Sequence, residues 1–129
     1  MTAIFPCKNF QQQSASVLSP LVTVPKGTSE IDRTYLNTFN DTGNSGLSLK
    51  RSFFSKCSSP ATNDMEAMPS LEWLKAGTMD DTIWLNPTVN IWCASAPRWT
   101  HIAESAFKFA RIRSLAKLGR SGFPWACAR

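Results

Sequence analysis

Prolines are the feature that most constrains the fold of this chain of 129 residues. Proline removes a backbone hydrogen-bond donor and fixes φ, so it interrupts both long helices and central strands. The hydrophobic content of 43% is nevertheless sufficient for a folded core. We therefore expect a single domain over residues 1–129, built from short segments. The eight prolines stand at positions 6, 20, 25, 60, 69, 87, 97 and 124.

The segments between these breaks have mostly β-type patterns. Residues 17–25 are rich in β-branched side chains. Residues 33–39 and 47–54 alternate apolar with polar side chains, and the turn-forming residues 40–46 separate them, so 33–54 is predicted to be a β-hairpin. Two further strands are predicted: one within residues 70–81 that leads into a loop, and one within 88–99 that ends at Pro97.

Residues 101–119 have the spacing of an amphipathic helix. Lys and Arg occupy the face opposite the apolar side chains, and Gly119 is placed to end the helix. The fold class is therefore predicted as mainly β with a C-terminal α-helix. The apolar face contains Ile102, Ala106, Phe109, Ile112 and Leu115.

The net charge of +5 is concentrated in this C-terminal segment. Basic helices bind nucleic acids and membranes, but the sequence lacks a stacking platform, a nucleic-acid motif or an apolar run long enough to span a bilayer. We therefore predict a docked helix with a solvated face and no nucleic-acid or membrane partner. The four widely spaced cysteines form no disulfide framework, and the first residues do not have the pattern of a signal peptide, which favours a cytoplasmic location.

Three motifs in fixed order carry a family resemblance. They are "FPCKNFQQQSAS" at 5–16, "LKRSFFSKCSSP" at 49–60, and "AGTMDD" at 76–81 followed by "IWCAS" at 91–95. Together they resemble the glutathione-dependent formaldehyde-activating enzyme family, which also contains centromere protein V. The resemblance covers residues 5–102, and the basic helix and tail at 103–129 lie beyond it.

The resemblance implies a zinc-family β-sandwich or β-ribbon fold with two zinc sites and carbon–sulfur lyase activity. Its catalytic zinc positions correspond to Phe5, Cys7 and Phe10, and its structural positions to Phe54 and Cys57. The family's first two strands, which carry further ligands, are expected to be missing here. Zinc requires four ligands, or three and a water, so one thiol at each site predicts no metal and no cofactor.

Phenylalanine stands at three positions where the family has cysteine. The rings could simply fill the volume of the metal with hydrophobic packing, or they could line an apolar pocket for an organic ligand. On the second alternative, five residues are predicted to bind substrate. They are Phe5, Phe10, Phe54, Trp92 and Arg51.

His101 and Cys7 are the predicted catalytic residues. His101 is the single histidine of the chain, and histidine is the residue type whose ordinary pKa suits proton transfer near neutral pH. The alternatives are a capping or packing role for His101 at the start of the helix and an inert buried thiol for Cys7.

Three functions follow, in order of preference. The first is a metal-independent isomerase, cyclase, dehydratase or lyase that acts on an apolar or aromatic compound of specialised metabolism. The second is a non-catalytic binding protein that forms a homodimer through an exposed sheet edge. The third is a zinc carbon–sulfur lyase that acts on glutathione adducts.

Overall fold

A computed structural model of the protein describes residues 1–43 and 45–111. In these residues the chain forms eight strands and a single α-helix, α1 (Lys8–Ser14). Short 3₁₀ turns lie at Arg33–Tyr35, Ala76–Thr78 and Cys93–Ser95. The strands are β1 (Thr2–Phe5), β2 (Ser19–Pro25), β3 (Leu36–Thr42), β4 (Ser48–Phe54), β5 (Pro60–Met65), β6 (Leu71–Lys75), β7 (Val89–Ile91) and β8 (Phe107–Phe109).

The strands form one open sheet in the order β3-β4-β5-β6-β2-β1-β7-β8. The prediction of a mainly β fold is therefore confirmed. The chain divides into two compact units, one comprising Met1–Leu21 with the segment from Ile83 onward, and the other comprising Val22–Thr82. The boundary at position 21/22 falls within β2.

The second unit contains the predicted hairpin. β3 and β4 pair antiparallel from Leu36↔Phe54 to Thr42↔Ser48, and the turn closes with a hydrogen bond from Gly43 N to Leu47 O of 2.9 Å. β5 and β6 continue the antiparallel pairing. The predicted strands at 17–25 and 70–81 are observed as β2 and β6. The hydrophobic core of this unit includes Trp73, which is fully buried.

The first unit is built on parallel pairing. β1 pairs with β7 at Ala3↔Val89 and Ile4↔Asn90, and β7 pairs with β8 up to Ile91↔Phe109. Parallel strands need a long connection, and here all of residues 6–88 separate β1 from β7. The largest buried apolar side chains of the unit include Phe5, Phe10 and Ile91.

Two predictions of local structure were wrong. Residues 101–111 contain turns and β8 rather than a helix, because Phe107–Phe109 pairs with β7; the remainder of the predicted helix, with Ile112, Leu115 and Gly119, lies outside the described residues. The strand predicted to run to Pro97 stops at Ile91, because Trp92 adopts φ 70° and the chain enters a 3₁₀ turn. Helix α1 was not predicted.

Candidate functional site at the ends of two parallel strands

The candidate site lies where β1 and β7 end. Ile4 pairs with Asn90, so the next residues, Phe5 and Ile91, lie side by side where the two strands end. The segments that follow them therefore start from neighbouring points at the same end of the strands. In sheets with parallel strands, ligands bind preferentially at the carboxyl ends of those strands. The two segments carry Cys7 and Trp92, both of which the sequence predicts as site residues.

Gln11 joins the two segments. Its Nε2 donates to Pro6 O at 2.8 Å and to Ser95 O at 3.2 Å, while its Oε1 accepts a hydrogen bond from Lys8 Nζ at 3.2 Å. One side-chain amide thus holds both strand ends together after the β ladder has stopped. Sequence reasoning missed this residue, because a run of three glutamines gives no indication of which one points inward.

Phe5 and Phe10 lie against each other. Their ring centroids are 5.1 Å apart at an interplanar angle of 57°, and only 2% and 5% of these residues are exposed. A tilted pair of this kind contributes roughly 0.5–1.5 kcal/mol beyond the burial of its area. Their burial supports the packing alternative over an open pocket at these two positions.

Cys7 lies between the two rings in sequence, at the residue that precedes α1. Its thiol is buried and unoxidised, and its carbonyl accepts the hydrogen bond from Gln11 N that opens the helix, at 2.9 Å. Cys7 itself has an extended backbone, and the helix begins at the next residue.

Trp92 is half-buried and has a left-handed backbone at φ 70°. This conformation costs a non-glycine residue on the order of 1–3 kcal/mol, and such strain is concentrated at functional sites. Cys93 follows it and is buried, with Sγ 3.5 Å from Asn90 O. The strain marks the end of β7 as a place where the fold holds the chain in an unfavourable conformation.

His101 belongs to the same unit, and its side chain is exposed. It follows a turn closed by a hydrogen bond from Thr100 N to Pro97 O of 3.0 Å. An exposed imidazole is accessible to solvent. Its assignment as a catalytic residue stays a prediction.

The other two predicted site residues, Arg51 and Phe54, lie on β4 in the second unit. Arg51 is buried, and its Nε donates to Asp41 Oδ2 at 2.8 Å. Burial opposes ionisation of Asp41, but hydrogen bonds from Thr42 N–H and Arg51 outweigh it, so the pKa of Asp41 is lowered. Phe54 is half-buried. Of the predicted set, the geometry shows direct contact for Phe5 with Phe10.

Cys57 lies in the exposed turn that follows β4, where Ser58 has φ 60°. Hydrogen bonds with the side chain and backbone of Ser59 lower the pKa of the Cys57 thiol. The neighbouring Lys56 does not point at the thiol; its Nζ lies 3.8 Å from the centre of the Tyr35 ring. Cys57 is therefore the more accessible of the thiols at the positions that the resemblance singles out.

A sequence model of the glutathione-dependent formaldehyde-activating enzyme family matches residues 1–95. The match includes Phe5, Cys7, Phe10 and Trp92 but not His101. No curated protein matches the chain. Within the described residues, no helix combines the length and apolar character needed to cross a bilayer.

At the positions that the resemblance assigns to a catalytic zinc ion, the residues present do not fit that metal. At the three positions that the resemblance assigns to the catalytic metal, Cys7 supplies one sulfur and the two phenylalanines supply hydrocarbon. Across residues 1–43 and 45–111, no three side chains of the His, Cys, Asp or Glu type converge on a common point. One thiolate is too few for stable zinc binding, which takes three or four protein ligands.

Proposed function

Since the chain belongs to the glutathione-dependent formaldehyde-activating enzyme family, we propose that it is a lyase-type enzyme that acts on a small organic substrate without bound zinc. Family membership suggests chemistry at a carbon–sulfur bond between a thiol and an aldehyde. The observation that carries the proposal is the junction of the β1 and β7 ends, where Gln11 fixes the segments of Cys7 and Trp92 to each other.

The reaction we propose is the reversible breakdown of an S-hydroxymethyl thioether into a thiol and formaldehyde. The hydroxyl loses its proton, a carbonyl forms, the carbon–sulfur bond breaks, and its electron pair and a proton go to sulfur. His101 would accept the hydroxyl proton and the Cys7 thiol would protonate the leaving sulfur, as general base and general acid. S-hydroxymethylglutathione is the first substrate to test, and an apolar or aromatic metabolite is the second.

Exchange NMR with ¹³C-formaldehyde and glutathione measures this reaction directly. We expect the purified protein to speed exchange between the free aldehyde and the adduct while elemental analysis finds well under one zinc per chain. Cys7→Ala and His101→Ala should each slow the exchange by roughly 10²-fold or more, the usual contribution of a proton-transfer group. Cys57→Ala, which removes a thiol of the other unit, should leave the rate unchanged.

A stoichiometric zinc that is lost together with activity on treatment with a chelator would contradict the metal-free proposal. Activity on neither substrate class would contradict the enzymatic proposal itself.

The buried contact between Phe5 and Phe10 favours one alternative, a non-catalytic binding protein that keeps the family fold. In that case the rings replace the metal as packing, and no turnover is required of the site. Unchanged exchange rates together with saturable binding of glutathione, measured by calorimetry, would identify this alternative.

A further inference from the structure

β3 is the terminal strand of the described sheet, and it lacks the usual protection of an edge. Exposed edges are normally blunted by proline, lysine, a bulge or a covering segment, because unpaired backbone groups pair with other chains. β3 runs seven residues in regular register with β4, and its sequence LNTFNDT contains neither proline nor lysine. Phe39, at its centre, is 58% exposed.

The hydrogen-bond pattern shows which backbone groups face outward. Gly43 N donates to Leu47 O, and Ser55 N donates to Tyr35 O, so the odd-numbered residues of β3 direct their backbone groups toward β4. In an antiparallel ladder these pairs alternate strictly, so the even-numbered residues of β3 direct theirs to the open edge.

The two ends of this edge are already closed. Asp41 Oδ1 accepts the N–H of Thr42 at 2.8 Å, and Arg33 O accepts the N–H of Leu36. Within the described residues, the outward N–H groups that remain are those of Thr38 and Asn40, on either side of Phe39. The open part of the edge is therefore short and symmetric about Phe39.

We infer that β3 pairs antiparallel with β3 of a second copy of this chain, with the two-fold axis at Phe39. Thr38 then exchanges two backbone hydrogen bonds with Asn40 of the partner, and the symmetry repeats them, which satisfies all four outward N–H groups. Phe39 faces the partner's Phe39 as a non-hydrogen-bonded pair, where side chains approach most closely.

Side-chain chemistry supports a second copy rather than an unrelated strand. In this register Asp41 lies opposite Asn37 of the partner, so a carboxylate meets an amide that can donate to it. No like charges face each other, whereas facing like charges would oppose pairing. An isologous contact of this kind closes on itself and gives a dimer rather than a fibre. The inference does not depend on the proposed function.

Sedimentation velocity over about a hundredfold range of concentration tests the dimer, because such an association is concentration-dependent. We expect the wild-type chain to dimerise and Phe39→Lys and Phe39→Glu to weaken the dimer at least tenfold each. An equimolar mixture of the two variants should recover a heterodimer, detected by native mass spectrometry. Phe107→Lys is the matched control, since Phe107 is a 65% exposed phenylalanine on β8, the other terminal strand.

Three results would overturn the inference: a wild-type chain that is monomeric throughout, a dimer that survives Phe39→Lys, or a mixture of the charged variants that remains monomeric. Circular dichroism of each variant checks that the hairpin is folded. Because residue 39 is exposed, its substitution should leave the spectrum unchanged.

Discussion

Replacing Arg33 by alanine should destabilise the protein, because it removes the charged partner of the buried carboxylate of Glu72. Nη2 of Arg33 donates to both oxygens of Glu72, at 2.9 and 3.1 Å, and Ser29 Oγ donates to the same carboxylate. The side chain of Glu72 is 2% exposed, whereas that of Arg33 is 53% exposed. Arg33→Ala therefore removes the charged partner and leaves a buried charge with a hydroxyl donor.

The expected loss in the free energy of unfolding lies between the values for breaking a buried and an exposed ion pair. At 2.9 Å and an effective dielectric constant of about 20, the attraction is about 6 kcal/mol, an upper bound. Solvent around the half-exposed guanidinium screens this attraction. Exposed pairs contribute roughly 0.2–1 kcal/mol and breaking a buried pair costs roughly 3–5, so we expect a loss of about 2 kcal/mol. The melting temperature should fall by roughly 6–10 °C.

Urea unfolding followed by circular dichroism and tryptophan fluorescence measures this loss. Arg98→Ala, at an exposed arginine, is the control and should change stability by less than about 0.5 kcal/mol. In a Glu72→Gln background the cost of Arg33→Ala should fall by at least half, because the buried charge is gone. A loss below about 0.5 kcal/mol for Arg33→Ala, or an undiminished loss in the Glu72→Gln background, would refute the reasoning.

Three further predictions concern single residues. Ala15→Gly should stabilise the protein by about 0.5–1 kcal/mol in urea unfolding, because Ala15 ends α1 with φ 50° and glycine adopts this conformation without strain. Asp41→Asn should destabilise the protein at neutral pH but not in acid, because folding lowers the pKa of Asp41. The stabilisation by the ionised carboxylate is complete above the unfolded pKa of 3.8 and is lost as the pH falls through the lower folded pKa. Iodoacetamide should alkylate Cys57 before Cys7 and Cys93, because Cys57 is exposed with a lowered thiol pKa and the other two are buried.

Each of these has a clear contrary outcome. A lower urea midpoint for Ala15→Gly would mean that the backbone does not hold the left-handed conformation. A stability difference for Asp41→Asn that is constant from neutral pH down to strong acid would exclude the ionised carboxylate as its source. Equal alkylation of the three thiols in the native protein, resolved by peptide mass spectrometry, would contradict their difference in exposure.

The hairpin was predictable because its signals are local. Alternating side chains in β3 and β4 and a turn-forming segment between them agree on the same structure, and the observed register follows from that alternation. Helix α1 was not predictable in the same way, because its seven residues make only two turns and no side chain caps its first one. A helix this short depends on tertiary packing, here through Phe10.

The segment after position 100 shows where local pattern misleads. Ile102 and Ala106 are both buried, as the helical prediction required. However, the residues between them form a turn rather than a helix. Phe107–Phe109 also alternates apolar with basic, and it gains parallel pairing with β7. Pairing between distant segments outweighs the local preference for helix, and the residue pattern of this segment does not indicate that β7 is its partner.

The candidate site was predictable only in part. Motif resemblance located Phe5, Cys7 and Phe10, and the family match includes all three. The role of Gln11 depends on the parallel register of β1 with β7, which residue types do not encode. Arg51 was predicted to bind substrate, and the structure shows it buried on β4 in an ion pair with Asp41.

Gln11 also has a consequence for mutational scanning. Its amide nitrogen meets two carbonyl oxygens, so this position requires a donor and rejects an isosteric acceptor. A scan ranked by size or hydropathy would score glutamate as the mildest replacement, yet its carboxylate would face both carbonyls across distances that now hold hydrogen bonds. Selection at this position would therefore act on the hydrogen-bond donor of the side chain rather than on its volume.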